Sequence, residues 1–281
     1  MKRTLVLVAC GGCLGLGEPK PPDCVAPRAL AELNSFDLEA SPWLSSDRLE
    51  IWFSSNRGGN LRLLHAGREN RDERFSDLVD VSDLGVTGST FDPFLEPDGL
   101  TMWFAALGSA TGAEPQLYRA TRSMRGTARF SPAEPVIGTG EHPSMTADRR
   151  TLYFSRRSGA TYSVFRTMRD TASDVFGPPE ELTEIRGSEL AIGDVRDPSI
   201  SPDGERLLFT YRATGTAPYR VYETDLLGGT FEPGTLESDT GPTDPANSDQ
   251  DPAFHAGGDT FVFASDRAVE NTDLDLYIAC E

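Results

Sequence analysis

Asp197-Pro198-Ser199-Ile200-Ser201-Pro202-Asp203-Gly204-Glu205-Arg206-Leu207-Leu208-Phe209 is the clearest copy of a pattern that runs five times through the 281 residues. Its Pro recurs at 42, 93, 143, 198 and 252, in steps of 51, 50, 55 and 54 residues. Eleven positions after each Pro stands a Phe: Phe53, Phe104, Phe154, Phe209 and Phe263. Five positions after it stands Asp in four copies (Asp47, Asp98, Asp148, Asp203), with Gly257 in the fifth. A fixed period of this length marks a repeat architecture.

Each unit reads as a small antiparallel sheet. The residue two after the Pro is apolar (Leu44, Leu95, Met145, Ile200, Phe254) and belongs to a short first strand. Glu96-Pro97-Asp98-Gly99 and Ser201-Pro202-Asp203-Gly204 then read as turns, with Pro presetting one dihedral, Asp bonding its own backbone and Gly taking the left-handed position. Arg48 and Arg149 stand where that Gly belongs, which predicts rearranged turns in those two copies. The second strand is an unbroken apolar run, as in Ile51-Trp52-Phe53 and Met102-Trp103-Phe104, and is expected to be covered on both faces. Leu63, Tyr118, Phe165, Tyr222 and Tyr277 centre a third strand. Phe75, Phe130, Phe176 and Phe231 introduce a fourth. Four-stranded sheets repeated radially make an all-β, five-bladed β-propeller. The recurring Pro suits the innermost strand, whose free edge faces the channel. The fifth repeat stops after its third strand, so Ala29–Leu33 is expected to supply the missing outer strand and close the ring.

The pattern Asp-Pro-x-apolar-Ser-Pro-Asp-Gly-x-x-Leu-x-Phe resembles the WD40-like repeat of the TolB-type propellers, over about residues 28–280. The copies at 197–209, 251–263 and 92–104 carry the likeness best. It implies the fold and, more loosely, an interaction platform in the bacterial cell envelope. The chain departs from TolB itself in having five repeats where TolB has six, and these repeats are expected to leave no room for a separate N-terminal domain.

The formal charge of −18 argues against a nucleic-acid partner, because phosphate contacts need clustered Lys and Arg. Residues 1–17 read as an export signal, and Leu7-Val8-Ala9-Cys10 matches the bacterial lipobox, with lipidation of Cys10 as its consequence. Plain secretion and a cytoplasmic tail remain as alternatives. Residues 18–28 form a Pro-rich tether, and 29–281 the propeller. Cys10 and Cys13 have CxxC spacing but no second pair to complete a zinc site. Cys24 and Cys280 flank the closure and are expected to form a disulfide, with two unpaired thiols as the alternative. The place of action is then the cell envelope, lipid-anchored and periplasmic or at the surface, or the medium.

The loops between second and third strands, and those leading to the next blade, vary in length and share one face, which is where binding is expected. The opposite face carries the uniform Asp turns and reads as structural. No HExxH, Gly-x-Ser-x-Gly, phosphate loop or dinucleotide fingerprint occurs. The residue before each repeat Pro is Ser41, Asp92, His142, Asp197 or Asp251. Propeller symmetry gathers these five at the channel mouth, where Asp92, His142, Asp197 and Asp251 could hold a ligand or cation. The competing reading has each Asp capping its own strand. Arg57, Arg157, Arg212 and Arg267 follow the repeat Phe by three or four residues and are expected to pair with neighbouring-blade carboxylates, or else to form a rim for anionic ligands. The main expectation is a non-catalytic, monomeric propeller without cofactor that binds an envelope protein or an extracellular ligand. The alternative is a carbohydrate-active enzyme using inner-strand carboxylates.

Overall fold

The structure is a computed structural model that describes residues 26–279, apart from 82–83, 109–112, 214, 238–239, 242–243, 256–259 and 269–272. Cys10, Cys13, Cys24, Cys280 and Gly257 lie outside the described residues. Five antiparallel sheets form the blades. Blade 1 is Glu39–Leu44, Glu50–Ser55, Arg62–Gly67 and Ser76–Asp80. Blade 2 is Ser89–Leu95, Thr101–Leu107, Gln116–Thr121 and Glu134–Thr139. Blade 3 is Glu141–Met145, Thr151–Ser158, Thr161–Met168 and Glu180–Glu181. Blade 4 is Asp194–Ile200, Arg206–Arg212 and Arg220–Leu227, whose outer side pairs with Thr230–Phe231 and Thr235–Leu236. Blade 5 is Asp249–Phe254, Phe261–Ser265 and Asp275–Ala279, completed by Arg28–Ala29. Each inner strand packs against the inner strands of both neighbours, so the ring is closed.

Closure follows the expected route with a shorter strand. Arg28 lies opposite Ile278 and Ala29 opposite Tyr277, and the Leu30 amide donates to Leu276 O. The chain then turns, with the Leu33 amide on Leu30 O, and buries Leu30 and Leu33 between blades 1 and 5. Beyond Leu30 the expected pairing is thus replaced by packing: the two leucines fill the seam instead of extending the ladder.

The second strands are buried on both faces, as their composition requires. Across four blades the repeat Phe faces an aromatic on the third strand: Phe104–Tyr118, Phe154–Phe165, Phe209–Tyr222 and Phe263–Tyr277, stacked at 5.7–6.0 Å. In blade 1 the partner of Phe53 is Leu64, one residue later than Leu63. Both leucines are buried, so hydrophobicity alone did not mark the register. The Phe before each fourth strand reaches the preceding blade. Phe130 meets Trp52, Phe176 meets Trp103 and Phe231 meets Tyr153, all edge-on at 5.6–6.1 Å. Such aromatic pairs contribute about 0.5–1.5 kcal/mol beyond their buried area, and here they join blade to blade.

The turns after the first strands match one another more closely than their sequences do. Arg48 (φ 61°) and Arg149 (φ 62°) adopt the left-handed conformation of Gly99 (φ 66°) and Gly204 (φ 80°), so no rearrangement occurs. Each Arg crosses to the preceding blade. Arg149 bonds Asp98 at 2.7 Å and Glu96 at 3.0 Å, and Arg48 bonds Thr260 at 2.9 Å. Above Gly99 the same job falls to Arg125, which reaches Asp47 at 2.7 Å. Asp47, Asp98, Asp148 and Asp203 each accept the amide two residues on, at 2.8–3.0 Å. No helix is long and apolar enough to cross a membrane among the described residues.

Candidate functional site

The site is built by one backbone device used five times. In every inner strand the register with the second strand slips across the residue before the Pro and the Pro itself. At that bulge Ser41, Asp92, His142, Asp197 and Asp251 have φ of 49–56°. Left-handed backbone costs a non-glycine residue about 1–2 kcal/mol. Its effect is to swing five side chains out of the ladder and toward the axis. Pro has no N–H to lose at a bulge, which explains its recurrence there.

The five residues meet. His142 Nε2 lies 3.2 Å from Asp92 Oδ1 and 3.2 Å from Asp251 Oδ1, and His142 Nδ1 lies 3.2 Å from Asp197 Oδ1. Ser41 Oγ donates to Asp92 at 2.6 Å. The Asp residues do not cap their own strands. Asp92 accepts the amide of His142 in the next blade, and Asp251 accepts that of Ser41, again one blade on. The amides of Asp92 and Asp197 go to Ser54 and Ser155 of the preceding blades. The belt therefore ties the ring together through side chain-to-backbone bonds between blades.

Arg196 and Glu141 extend the group toward the loop face. Arg196 Nε donates to Asp197 Oδ1 at 2.6 Å, and its guanidinium lies 3.9 Å from Glu141 Oε1. Glu141 Oε1 is also 3.9 Å from His142 Nδ1. Burial disfavours a charged His142, but the charges of Asp197 and Asp92 and a hydrogen bond with Asp251 outweigh it and lift its pKa to about 10. Burial pushes Asp92 up, helped by the charges of Glu141 and Asp251 and opposed by His142. Burial acts on Asp251 in the same sense, yet the hydrogen bond and charge of His142 win and hold it low. Two carboxylates against one imidazolium thus differ in their readiness to hold a proton. His142 Nδ1, Asp197 Oδ2 and Glu141 Oε1 are buried without a hydrogen-bond partner.

The channel around this belt has a void of about 50 Å³, room for a water or an ion and too small for a sugar ring. His142 with Asp197 and Asp251, or with Asp92 and Glu141, brings ligand atoms close enough to share a cation. An imidazolium cannot ligate, so the charge that His142 carries competes with any ion there. Below the belt, toward the turn face, the channel opens into an apolar funnel of about 230 Å³ lined by Trp43, Phe94, Met145, Ile200 and Phe254.

Two of the larger cavities matter for ligand binding. One, about 350 Å³, opens on the loop face between blades 2 and 3 and is lined by Glu114, Glu141, Arg156, Arg157 and Tyr162. The other, about 1210 Å³, lies on the turn face between blades 1 and 2, and Glu50, His65 and Arg68 line part of it. In its wall Glu50 holds the buried Arg122 at 2.7 Å. The turn face is therefore not a bare structural surface. Sequence reasoning missed Glu141, Arg196 and the Glu50–Arg122 pair. For Glu141 a signal existed: it is the acidic residue immediately before the only imidazole of the belt.

The basic set divides. Arg57 pairs with Glu39 at 2.7 Å, Arg267 with Asp249 and Arg212 with Asp194. Each carboxylate comes from the inner strand of the same blade, not from a neighbour, because the end of the second strand lies beside the start of the first. Arg157 has no carboxylate partner among the described residues, and its guanidinium lies over Tyr162 at 5.1 Å.

No protein family and no curated protein matches the chain. Solved structures do. TolB from Acinetobacter baumannii is 20% identical, with a TM-score of 0.54 over 89% of this chain and 56% of TolB, so the chain spans little more than half of that protein. The GH43_1 enzyme from Xanthomonas citri complexed with xylotriose is 12% identical, with a TM-score of 0.59 over 90% of this chain and 89% of that one. The alpha-L-arabinofuranosidase from Podospora anserina in complex with cellotriose is 10% identical, with a TM-score of 0.56 over 92% and 94%. At these identities the likeness shows the fold. It also corrects the expectation of a non-catalytic chain: structures of this fold, matched over nearly their whole length, include several glycoside hydrolases. The missing motifs left serine, zinc and nucleotide chemistry without local support in the sequence. Glycoside hydrolysis needs only two placed carboxyl groups, and a propeller supplies those from different blades with no local signature. The chain is a five-bladed β-propeller, similar in fold to solved structures of TolB and of glycoside hydrolases.

Proposed function

We propose that the chain is a carbohydrate-active enzyme of the glycoside hydrolase type, working at the loop-face end of the channel. Glu141 carries the reading. It is the residue that joins the buried acid–imidazole belt to a cavity large enough for a small ligand. The belt carboxylates are too enclosed to touch a sugar, so they act behind Glu141. With the imidazolium of His142 3.9 Å behind it, Glu141 is placed for the base or nucleophile role. Glu114, on the blade 2 side of the same cavity, is exposed and stands as the proton donor. This replaces Asp92, Asp197 and Asp251 as the source of the working pair, with one member, Glu141, still on an inner strand.

The glycoside hydrolases of this fold bound to xylotriose and cellotriose suggest the first substrates to try. Aryl β-xylosides, aryl α-L-arabinofuranosides and xylotriose should be turned over, and Glu141→Gln should slow turnover by about 10²–10⁴-fold without loss of folding. Turnover that survives in Glu141→Gln, or no turnover of any glycoside by the wild type, overturns the reading. Recognition of an envelope protein on the same face is a second reading, favoured by Phe36 and Ile192, which stand 88% and 79% exposed before the inner strands of blades 1 and 4. Export with a lipid on Cys10 would hold the propeller at a membrane. Fatty-acid labelling lost in Cys10→Ala checks it.

A further inference from the structure

The ring of Arg–carboxylate pairs on the loop face is broken in blade 3 alone among the blades that carry the Arg, and the break opens onto the 350 Å³ cavity. In blades 1, 4 and 5 an acidic residue three or four positions before the repeat Pro neutralises the Arg at the end of the second strand. In blade 3 those positions are Thr139 and Gly140. A side chain at 140 has no room: a Cβ there would lie 2.8 Å from Phe154 and 3.1 Å from Leu117. The acid appears one residue later, as Glu141, where it faces His142 and Arg196 instead of Arg157. Arg157 is left exposed at the cavity wall, and Arg156 lines the same cavity with its guanidinium over Phe165 at 4.1 Å. Arg196 also stands over the Tyr162 ring, at 5.3 Å. The cavity thus sets Arg156 and Arg157 beside the carboxyl groups of Glu114 and Glu141, and Arg157 has no acidic partner among the described residues.

We propose that Arg157, supported by Arg156 and Tyr162, binds the carboxylate of a uronic acid, so that the substrate class is an acidic oligosaccharide. The inference rests on the glycoside reading above and narrows it. The guanidinium fork matches a carboxylate with two parallel N–H donors, which a hydroxyl cannot exploit. The Tyr162 ring, 5.1 Å from the guanidinium, backs that fork.

The test compares xylotriose with a xylo-oligosaccharide of equal length bearing one glucuronic acid, by calorimetric binding and by turnover. The wild type should prefer the acidic ligand by about tenfold or more, and salt at about 0.5 M should shrink that preference. Arg157→Met should bring the acidic-to-neutral ratio close to one, and Arg156→Met should lower it less. Unfolding curves of both variants confirm that they fold. A wild type that handles both ligands equally overturns the inference and leaves the glycoside reading standing. A preference that persists in Arg157→Met overturns the assignment to this Arg. A wild type that neither binds nor cleaves either ligand sinks both readings together.

Discussion

The turns on one face and the bulges at the axis both repeat around the ring, and both place non-glycine residues at positive φ. In the turns every side chain finds its partner nearby: Asp47, Asp98, Asp148 and Asp203 bond their own loop, and the left-handed Arg residues reach the neighbouring turn. Such contacts can be copied from blade to blade because each is complete in itself. At the bulges the side chains point at one another. Five Asp residues converging on an axis could not all ionise, so the repeat has to break, and it breaks at Ser41 and His142. A repeat protein can thus be uniform where its contacts are tangential, and must differ where they are radial. That is where an individual chemistry enters.

The sharpest way to test this contrast is to remove the odd member. His142→Ala leaves Asp92, Asp197 and Asp251 facing one another without their shared cation. Breaking a buried ion pair on one side costs about 3–5 kcal/mol, read as a lower denaturant midpoint. A loss below about 1 kcal/mol would mean that the belt is not electrostatically closed by His142.

The same residue should make the ring's stability depend on alkaline pH. Its pKa rises from 6.5 in the unfolded chain to about 10 in the fold, in the field of Asp92, Asp197, Asp251, Glu141 and Arg196. The folded state then holds a proton that the unfolded state releases, so the stabilisation is complete below pH 6.5 and fades as pH approaches 10. The stability gap between wild type and His142→Gln should shrink across that window. A constant gap would place the contribution of His142 in packing instead of charge.

On the turn side the expected effects are smaller. Asp203→Ala removes the bonds from the Glu205 amide and the buried Ser201 hydroxyl in one turn, for about 1 kcal/mol. No other blade should feel it, so a change in ligand handling on the loop face would contradict the split between tangential and radial contacts.

The Pro-to-Phe spacing was legible because it lies within one blade: a bulge, a turn and a buried strand fix it locally. The belt was legible for the same reason, since the Pro marks the bulge and the bulge aims the residue before it. What escaped were relations between blades. Arg149 looks misplaced in sequence because its partners Asp98 and Glu96 stand some fifty residues upstream, on another sheet. Leu63 and Leu64 are equally apolar, and only pairing with Phe53 separates them. Arg157 matches Arg57, Arg212 and Arg267 by position, and its lack of a carboxylate shows only when the acidic residue of each inner strand is aligned beside it. The channel's width, which excludes the belt from direct contact with a sugar, has no sequence signature at all.

The finest test is Arg149→Gly, where two terms oppose. Glycine removes about 1 kcal/mol of left-handed strain but gives back part of that as unfolded-state entropy. It also deletes the bonds to Asp98 and Glu96, which are half-exposed on the Arg side and therefore contribute about 0.2–1 kcal/mol. The sum should lie within about 0.5 kcal/mol of zero, although the substitution erases two ion pairs. A double-mutant cycle with Asp98→Ala should then return a coupling of about 0.5 kcal/mol, separating the pair from the strain. If Arg149→Gly instead stabilises the ring by the full strain, the ion pairs bridging the turns contribute nothing. Tangential contacts would then be decoration on a ring held by its aromatic seams and its axial belt.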